Sequence, residues 1–213
     1  MVQKDRERAS PANTVGVIFA GGQSRRMGQA KASLEFSGEP LIARIERRFS
    51  GQCFAQAVSV REVGTLPTNS PQIIDDDPQK DGGPMIGVLS ALKWAQSVRR
   101  CRFLLTTPVD TPFLPKEMLR ILSAAMEDEN IHSSVAMTEG QVHGLSALYD
   151  LSVLPRAEHI ILENGERALK AFHQAIGSAT VSFDRGLVDP FFNINTPDDL
   201  DHAQHLAKSH PTA

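Results

Sequence analysis

Cysteine is scarce in this chain: Cys53 and Cys101 are the only two among 213 residues. Their separation fits neither a CxxC redox pair nor a zinc motif, and it agrees with a reducing compartment. Both are expected to be buried structural thiols, since free cysteine is among the most buried residue types. No apolar run approaches the roughly 18 residues of a membrane-spanning helix. The start, MVQKDRERASPANT, is charged and then polar with no apolar segment, so it is not a secretory signal. A cytoplasmic protein with no membrane partner is expected. Excess charge is missing as well. With 22 Lys+Arg against 25 Asp+Glu the formal charge is −3, which leaves no global attraction for nucleic acid or anionic membrane. Any anion must be held locally.

What is present is ordinary soluble composition, 41% hydrophobic and 22% charged, which excludes wholesale disorder and fibrous classes. The length suits one α/β domain. Residues 1–13 read as a flexible leader, 14–207 as a single domain and 208–213 as a frayed tail, because neither end carries periodic apolar residues. Val15–Ala20 is a short apolar run ending in Gly21-Gly22, the pattern of a strand buried on both faces. Leu41, Ile42, Ile45 and Phe49 then fall at helical spacing behind Pro40.

Further strands are expected at 55–60, 72–74 and 101–106, with a helix stripe of Met85, Val88, Leu89, Leu92 and Ala95 between the last two. A helix opening at Pro115 buries Met118, Ile121, Leu122 and Ala125. Residues 133–137 and 145–149 read as strands that can form a hairpin, followed by a helix marked by Leu169, Phe172 and Ile176 and a strand at 180–183. Thr196-Pro-Asp-Asp199 carries a cap, a first-turn proline and a carboxylate three residues after the cap, and so opens a final helix. The alternation predicts a Rossmann-like three-layer α/β domain, a mostly parallel sheet with helices on both faces.

Ligands of such sheets settle at the carboxyl ends of the strands. The loop after strand one, Phe19-Ala-Gly-Gly-Gln-Ser-Arg-Arg-Met-Gly-Gln-Ala-Lys31, holds three glycines and three cations in thirteen residues. Glycine lets main-chain N–H groups approach an anion, and Arg25, Arg26 and Lys31 can neutralise phosphate oxygens. The spacing matches neither GxxxxGK[ST] nor GxGxxG, so neither a P-loop nor a dinucleotide fingerprint applies. After the strand CRFLLT comes Thr106-Thr-Pro-Val-Asp110-Thr-Pro-Phe-Leu-Pro115. A carboxylate there, in a segment stiffened by prolines, suits a hard cation shared with phosphate. The bland alternative for Asp110 is a turn aspartate.

The third place is Ile74-Asp75-Asp-Asp-Pro-Gln-Lys-Asp-Gly-Gly-Pro-Met-Ile-Gly87. Gly82, Gly83 and Pro84 can bring main chain against a base or ribose, and Asp76 or Asp77 can accept from sugar hydroxyls or base N–H groups. An acidic run by itself is more often a solvated loop. His143 stands alone beside a strand, where a histidine is more often structural than catalytic. Asn193 and Asn195 alternate and so share one side of an extended segment, able either to reach a ligand or to shape the entry to the last helix.

Together FAGGQSRRMGQAK, DDDPQKDGGPMIG, TTPVDTPFLP, VHGLSALY and FFNINTPDDL resemble the molybdenum cofactor guanylyltransferase (MobA) family of nucleotidyltransferases, from about Val15 to Leu206. The resemblance implies transfer of GMP from GTP to the terminal phosphate of molybdopterin, with release of pyrophosphate. It implies nucleotide-binding roles for Phe19, Ala20, Gly21, Gly22, Lys31, Asp76, Gly82, Gly83, Pro84 and Asp110, with Asp110 also on Mg²⁺. Lys31, Arg25 and Asp110 are the expected catalytic groups. GTP and molybdopterin are the expected partners, together with cofactor-delivery proteins or apo-molybdoenzyme chaperones. Three departures stand out: Phe19 in place of the usual leucine, Ala30 in place of an acidic residue, and Ser59-Val-Arg61 in place of an asparagine-bearing strand end. Arg61 is therefore not carried over as a ligand. The rival readings are a cytidylyltransferase for molybdopterin or another phosphorylated acceptor, and a non-catalytic nucleotide-binding module.

Overall fold

A computed structural model of the chain describes residues 7–21, 30–60, 66–74 and 83–210. Seven strands form the main sheet: β1 (Thr14–Phe19), β4 (Ala55–Val60), β5 (Gln72–Ile74), β6 (Phe103–Pro108), β7 (Ser133–Thr138), β8 (Gln141–Asp150) and β9 (Ala179–Ser182). Their order is β5-β4-β1-β6-β8-β7-β9, and the short pair β2 (Glu35–Phe36) and β3 (Glu39–Pro40) stands apart as a separate ribbon. All neighbours are parallel except β8, which runs antiparallel to both β6 and β7. The chain builds outward from β1 on one side, through β4 and β5, and then returns to lay β6 on its other side. The carboxyl ends of β1 and β6 therefore bracket the point where strand order reverses, the place where such sheets bind ligands.

Why β1 is central follows from its side chains. Val15 and Val17 pack into a core completed by α2 (Gly83–Ser97), α4 (Leu154–Glu158) and α5 (Leu169–Ile176). Ile18 faces the opposite core, under α1 (Leu41–Phe49) and α3 (Met118–Ala124). Gly16 has a packing reason, because a Cβ there would lie 2.5 Å from the Phe49 ring and 2.9 Å from Cys53 Sγ. Helices thus cover both faces, as expected. A third, smaller cluster of Phe36, Leu41, Phe113, Ile194 and Ala203 seats α6 (Pro197–Ser209) beside the two-stranded ribbon.

Several expected boundaries move. The strand expected at Cys101 starts at Phe103, since Arg100 takes a left-handed turn (φ 70) and Cys101 N–H bonds back to Val98 O. The helix expected from Pro115 begins at Met118. The hairpin of β7 and β8 forms, turning at Glu139 and Gly140, both at positive φ. Residues 151–163, for which no element was expected, form a 3₁₀ turn, α4 and a wider π turn. Described residues near both ends make contacts of their own. Asn13 is buried and gathers the segment before it, its Nδ2 donating to Glu7 Oε1 and Arg8 O at 2.9 Å while its Oδ1 accepts from Ser10 N–H at 2.8 Å. At the other end α6 runs through Lys208 to Ser209. Both thiols are free and mostly buried, and burial raises Cys53 to about 12 and Cys101 to about 11, which keeps them neutral. No helix among the described residues is long and apolar enough to cross a membrane.

Candidate active site

Beyond its last strand residue, the chain after β6 is pinned by α1. Arg44 Nε donates to Pro112 O at 2.7 Å, Arg48 Nε to Leu114 O at 2.7 Å and Arg48 Nη2 to Phe113 O at 3.3 Å. Gln52 Nε2 donates to Pro115 O at 3.1 Å, and Gln52 Oε1 accepts from Leu119 N–H at 2.8 Å. Positions 44, 48 and 52 recur every four residues, so they share one side of the helix and its end. Proline-rich stretches have carbonyls to satisfy and few N–H groups to offer, and these donors match that need. Burial, with Arg44 and Arg47 nearby, lowers Arg48 to about 10, still charged near neutral pH. The sequence signal was available, but the spacing of Leu41, Ile42, Ile45 and Phe49 reports only the apolar side.

The strap holds Asp110 at the sheet's carboxyl edge. Lys31, at the start of a 3₁₀ turn (Lys31–Ser33), donates from Nζ to Asp110 Oδ2 at 2.7 Å and to Asn195 Oδ1 at 2.7 Å. The segment around Asn195 is held by three further hydrogen bonds. Ile194 N–H donates to Asp110 O at 3.0 Å, which sews this segment to the β6 loop, and Asp199 Oδ2 accepts from the N–H groups of Asn195 and Thr196 at 2.9 and 2.8 Å. Thr196 Oγ1 accepts from Asp199 N–H at 3.1 Å, completing the expected capping box of α6. Burial works against the Asp199 charge, yet the Asn195 and Thr196 hydrogen bonds and the Lys31 charge hold its carboxyl below the ordinary value.

Two clefts open on either side of Asp110. The first, about 200 Å³, is lined by Phe19, Gly21, Lys31, Gly83, Pro84 and Asp110 among others, with Ser59 and Gly87. Gly83 has φ +61, a left-handed value that glycine adopts without strain, and with Pro84 it brings the start of α2 to the cleft. The positive end of the helix dipole therefore faces the same space as Lys31. The second cleft, about 250 Å³, lies toward β8 and α5, with Asp110, Thr111, His143, Ser146, Leu169 and Asn193 in its lining.

Of the expected site residues, Phe19, Gly21, Lys31, Gly83, Pro84 and Asp110 come together at the first cleft. Ala20 adjoins it, its N–H on Ser59 O at 2.9 Å. Gly22, Arg25, Asp76 and Gly82 lie outside the described residues, as do Arg26, Arg61 and Asp77. Asn195 proves to be a partner of Lys31, and Asn193 lines the second cleft. His143 is tied down, its Nε2 2.7 Å from Thr138 Oγ1 and its ring stacked on Phe191 at 4.6 Å. Burial lowers its pKa, with Asp189 opposing.

Among the described residues lining the two clefts, Asp110 is the one carboxylate that could meet a divalent cation. Oδ1 of Asp110 is buried without a hydrogen-bond partner among the described residues, while Oδ2 is taken by Lys31. Among those residues no cluster of three His, Cys, Asp or Glu side chains could hold a metal alone. That donor set fits an ion that completes its shell with phosphate oxygens and water, the habit of Mg²⁺.

Residues 16–177 match the MobA-like NTP transferase domain. The molybdenum cofactor guanylyltransferase of Rhodobacter capsulatus is 36% identical over 191 residues, covering 89% of this chain and 94% of its own length. That of Mesorhizobium japonicum is 33% identical over 200 residues, covering 91% and 96%. The crystal structure of molybdopterin-guanine dinucleotide biosynthesis protein A from Archaeoglobus fulgidus shares the fold at a TM-score of 0.71, with 23% identity over 92% of this chain and 99% of that one. The chain therefore belongs to the MobA-like NTP transferase family.

Proposed function

We propose that the chain transfers GMP from GTP to molybdopterin, forming the guanine dinucleotide and releasing pyrophosphate. The observation that carries this reading is that Asp110, paired with Lys31 of the first cleft, lines both clefts. A transfer between two bound partners needs that layout. The cleft of Gly21, Gly83 and Pro84 takes the nucleoside triphosphate, and the cleft of Gln141, His143, Gly144 and Asn193 takes the acceptor.

In the reaction an acceptor phosphate oxygen forms a bond to the α-phosphorus of GTP, while the bond from that phosphorus to the bridging oxygen breaks and its electron pair leaves with pyrophosphate. No protein base is needed, because the acceptor phosphate is already ionised near neutral pH. The protein positions and neutralises. Lys31 has three N–H donors and spends two on Asp110 and Asn195, which leaves one for a phosphate oxygen. Gly21 main chain and the start of α2 add partial positive charge, and Arg25 and Gly22 extend the same role on the glycine loop. Asp110 Oδ1 would hold Mg²⁺, which supplies charge neutralisation on the phosphates when bound. Asp76 and Gly82 complete the nucleotide contacts, and the product passes to cofactor-delivery proteins or apo-molybdoenzyme chaperones. The work is done in the cytoplasm.

Pyrophosphate release with molybdopterin, magnesium and each of GTP, CTP, ATP and UTP tests the reading. GTP is expected to be the preferred donor. Preference for CTP makes the protein a cytidylyltransferase, and no release with any donor makes it a non-catalytic module.

A further inference from the structure

Strand β8 leaves the register of both its neighbours beside the second cleft. Val135 of β7 pairs with Ala147 but Met137 pairs with Val142, so the stretch 143–146 bulges out opposite Ala136. On the other side the pairing with β6 ends at Thr106 and Ala147. His143, Gly144, Leu145 and Ser146, the whole of the bulge, line the second cleft. Bulges re-aim a strand next to sites, and main-chain groups taken out of a ladder need other partners.

Helix α5 supplies one from behind. His173, buried, donates from Nε2 to Gly144 O at 2.9 Å, and its Nδ1 accepts from Ser178 Oγ at 2.8 Å. A carbonyl only accepts, so Nε2 carries the proton. Ser178 Oγ lies 2.7 Å from Ser133 Oγ, and the Tyr149 ring stacks on the imidazole with centres 5.9 Å apart, so the ring is held from several sides. Burial lowers the His173 pKa, with the Gly144 hydrogen bond opposing, which keeps one nitrogen a donor and the other an acceptor near neutral pH. One turn earlier on the same side of α5, Leu169 presses on the bulge, since a Cβ on Gly144 would stand 2.9 Å from Leu169 Cβ.

In an unbroken ladder the neighbouring strands would set the position of these residues. Here a side-chain hydrogen bond and one close contact set it. His173 is itself absent from the lining of the cleft, so its influence on a ligand passes through Gly144. Of the bulge only Leu145 also reaches the first cleft, whose Gly21, Lys31 and Gly83 stand on other elements. We propose that His173 is a positioning residue for the acceptor: by holding Gly144 O it fixes the bulge in the shape that receives molybdopterin. The proposal rests on the reading of the second cleft as the acceptor site.

Steady-state kinetics of His173 variants with GTP, magnesium and molybdopterin test it, with thermal midpoints measured alongside. His173→Phe keeps a ring and removes the donor. Its acceptor KM is expected to rise about 3–10-fold, the loss of one hydrogen bond, while the GTP KM and kcat stay within about twofold. His173→Gln returns an N–H donor and should bring the acceptor KM back to within about twofold of wild type, although its midpoint, with the Ser178 contact gone, stays low. A merely structural residue would not separate acceptor KM from stability in this way. His173→Leu makes the same deletion if the phenylalanine variant does not fold. An acceptor KM within about twofold of wild type in a folded Phe or Leu variant overturns the proposal. So does a parallel rise in both KM values, or an acceptor KM in the glutamine variant that follows its midpoint instead of its restored donor. Failure of all three variants to fold assigns His173 to the core alone and overturns it too. If the wild-type protein shows no turnover on molybdopterin, the functional reading fails first; wild-type turnover with unaltered variants sinks only the role of His173.

Discussion

Lys31 and Asp110, 79 positions apart in sequence, meet at 2.7 Å where β1 and β6 end. Each is about one-seventh exposed, with side-chain accessibilities of 14% and 16%. An exposed pair of this kind would contribute little. Here the two charges are mostly out of water at the first cleft, and under the proposed reading they act on the bound phosphates.

Asp110→Asn keeps the shape and removes the charge. Pyrophosphate release at saturating GTP and magnesium should fall by about 10²–10³, as expected for loss of a major electrostatic group. Lys31→Ala should fall comparably, and Lys31→Arg should restore little, because a planar fork does not replace a compact ammonium. Turnover within threefold of wild type in the Asn variant would remove Asp110 from its role.

Arg48→Met keeps the stem of the side chain and strips the carbonyls of Phe113 and Leu114 of their donor. A destabilisation of about 1–3 kcal/mol is expected in urea unfolding, from buried acceptors left unmade. Because the strap holds the Asp110 loop, kcat should drop as well. A destabilised variant with unchanged kcat would show that the loop keeps its place without Arg48.

Asp199 gives the site an acid limit. Its folded pKa lies below the unfolded value of 3.8, so the stability it contributes is fully present above that value and is lost as pH falls through the folded one. In thermal melts below about pH 5, the gap between wild type and Asp199→Asn should close as pH falls. A gap that is constant with pH contradicts this.

Gly144→Ala would drive a methyl into Leu169. Overpacking at this point should cost about 1–3 kcal/mol. The bulge it deforms walls the second cleft, so the acceptor KM should rise while the GTP KM holds. An unchanged melting midpoint would show that α5 yields freely.

The fold was legible wherever burial imposes a period. The run from Val15 reads as a central strand because both its faces are covered, and Thr196, Pro197 and Asp199 announce α6 by their capping chemistry. The hairpin of β7 and β8 was legible, but the antiparallel pairing of β8 with β6 and the bulge were not, since pairing partners and register depend on contacts distant in sequence. Residues 151–163 passed unnoticed because Pro155 and a π turn interrupt the helical period. Lys31 and Asp110 could be named from their loops. That Asn195 joins them, and that Arg44, Arg48 and Gln52 hold the loop between, needed the packing of α1 and α6.

The most direct measurement is a crystal structure of the chain with magnesium and a GTP analogue that resists transfer. The triphosphate is expected against Gly21 and Lys31, with an α-phosphate oxygen and Asp110 Oδ1 on one metal ion and the guanosine along the start of α2. Electron density placing the triphosphate against Gln141, His143 and Asn193, or away from Lys31 and Asp110 altogether, would contradict the account.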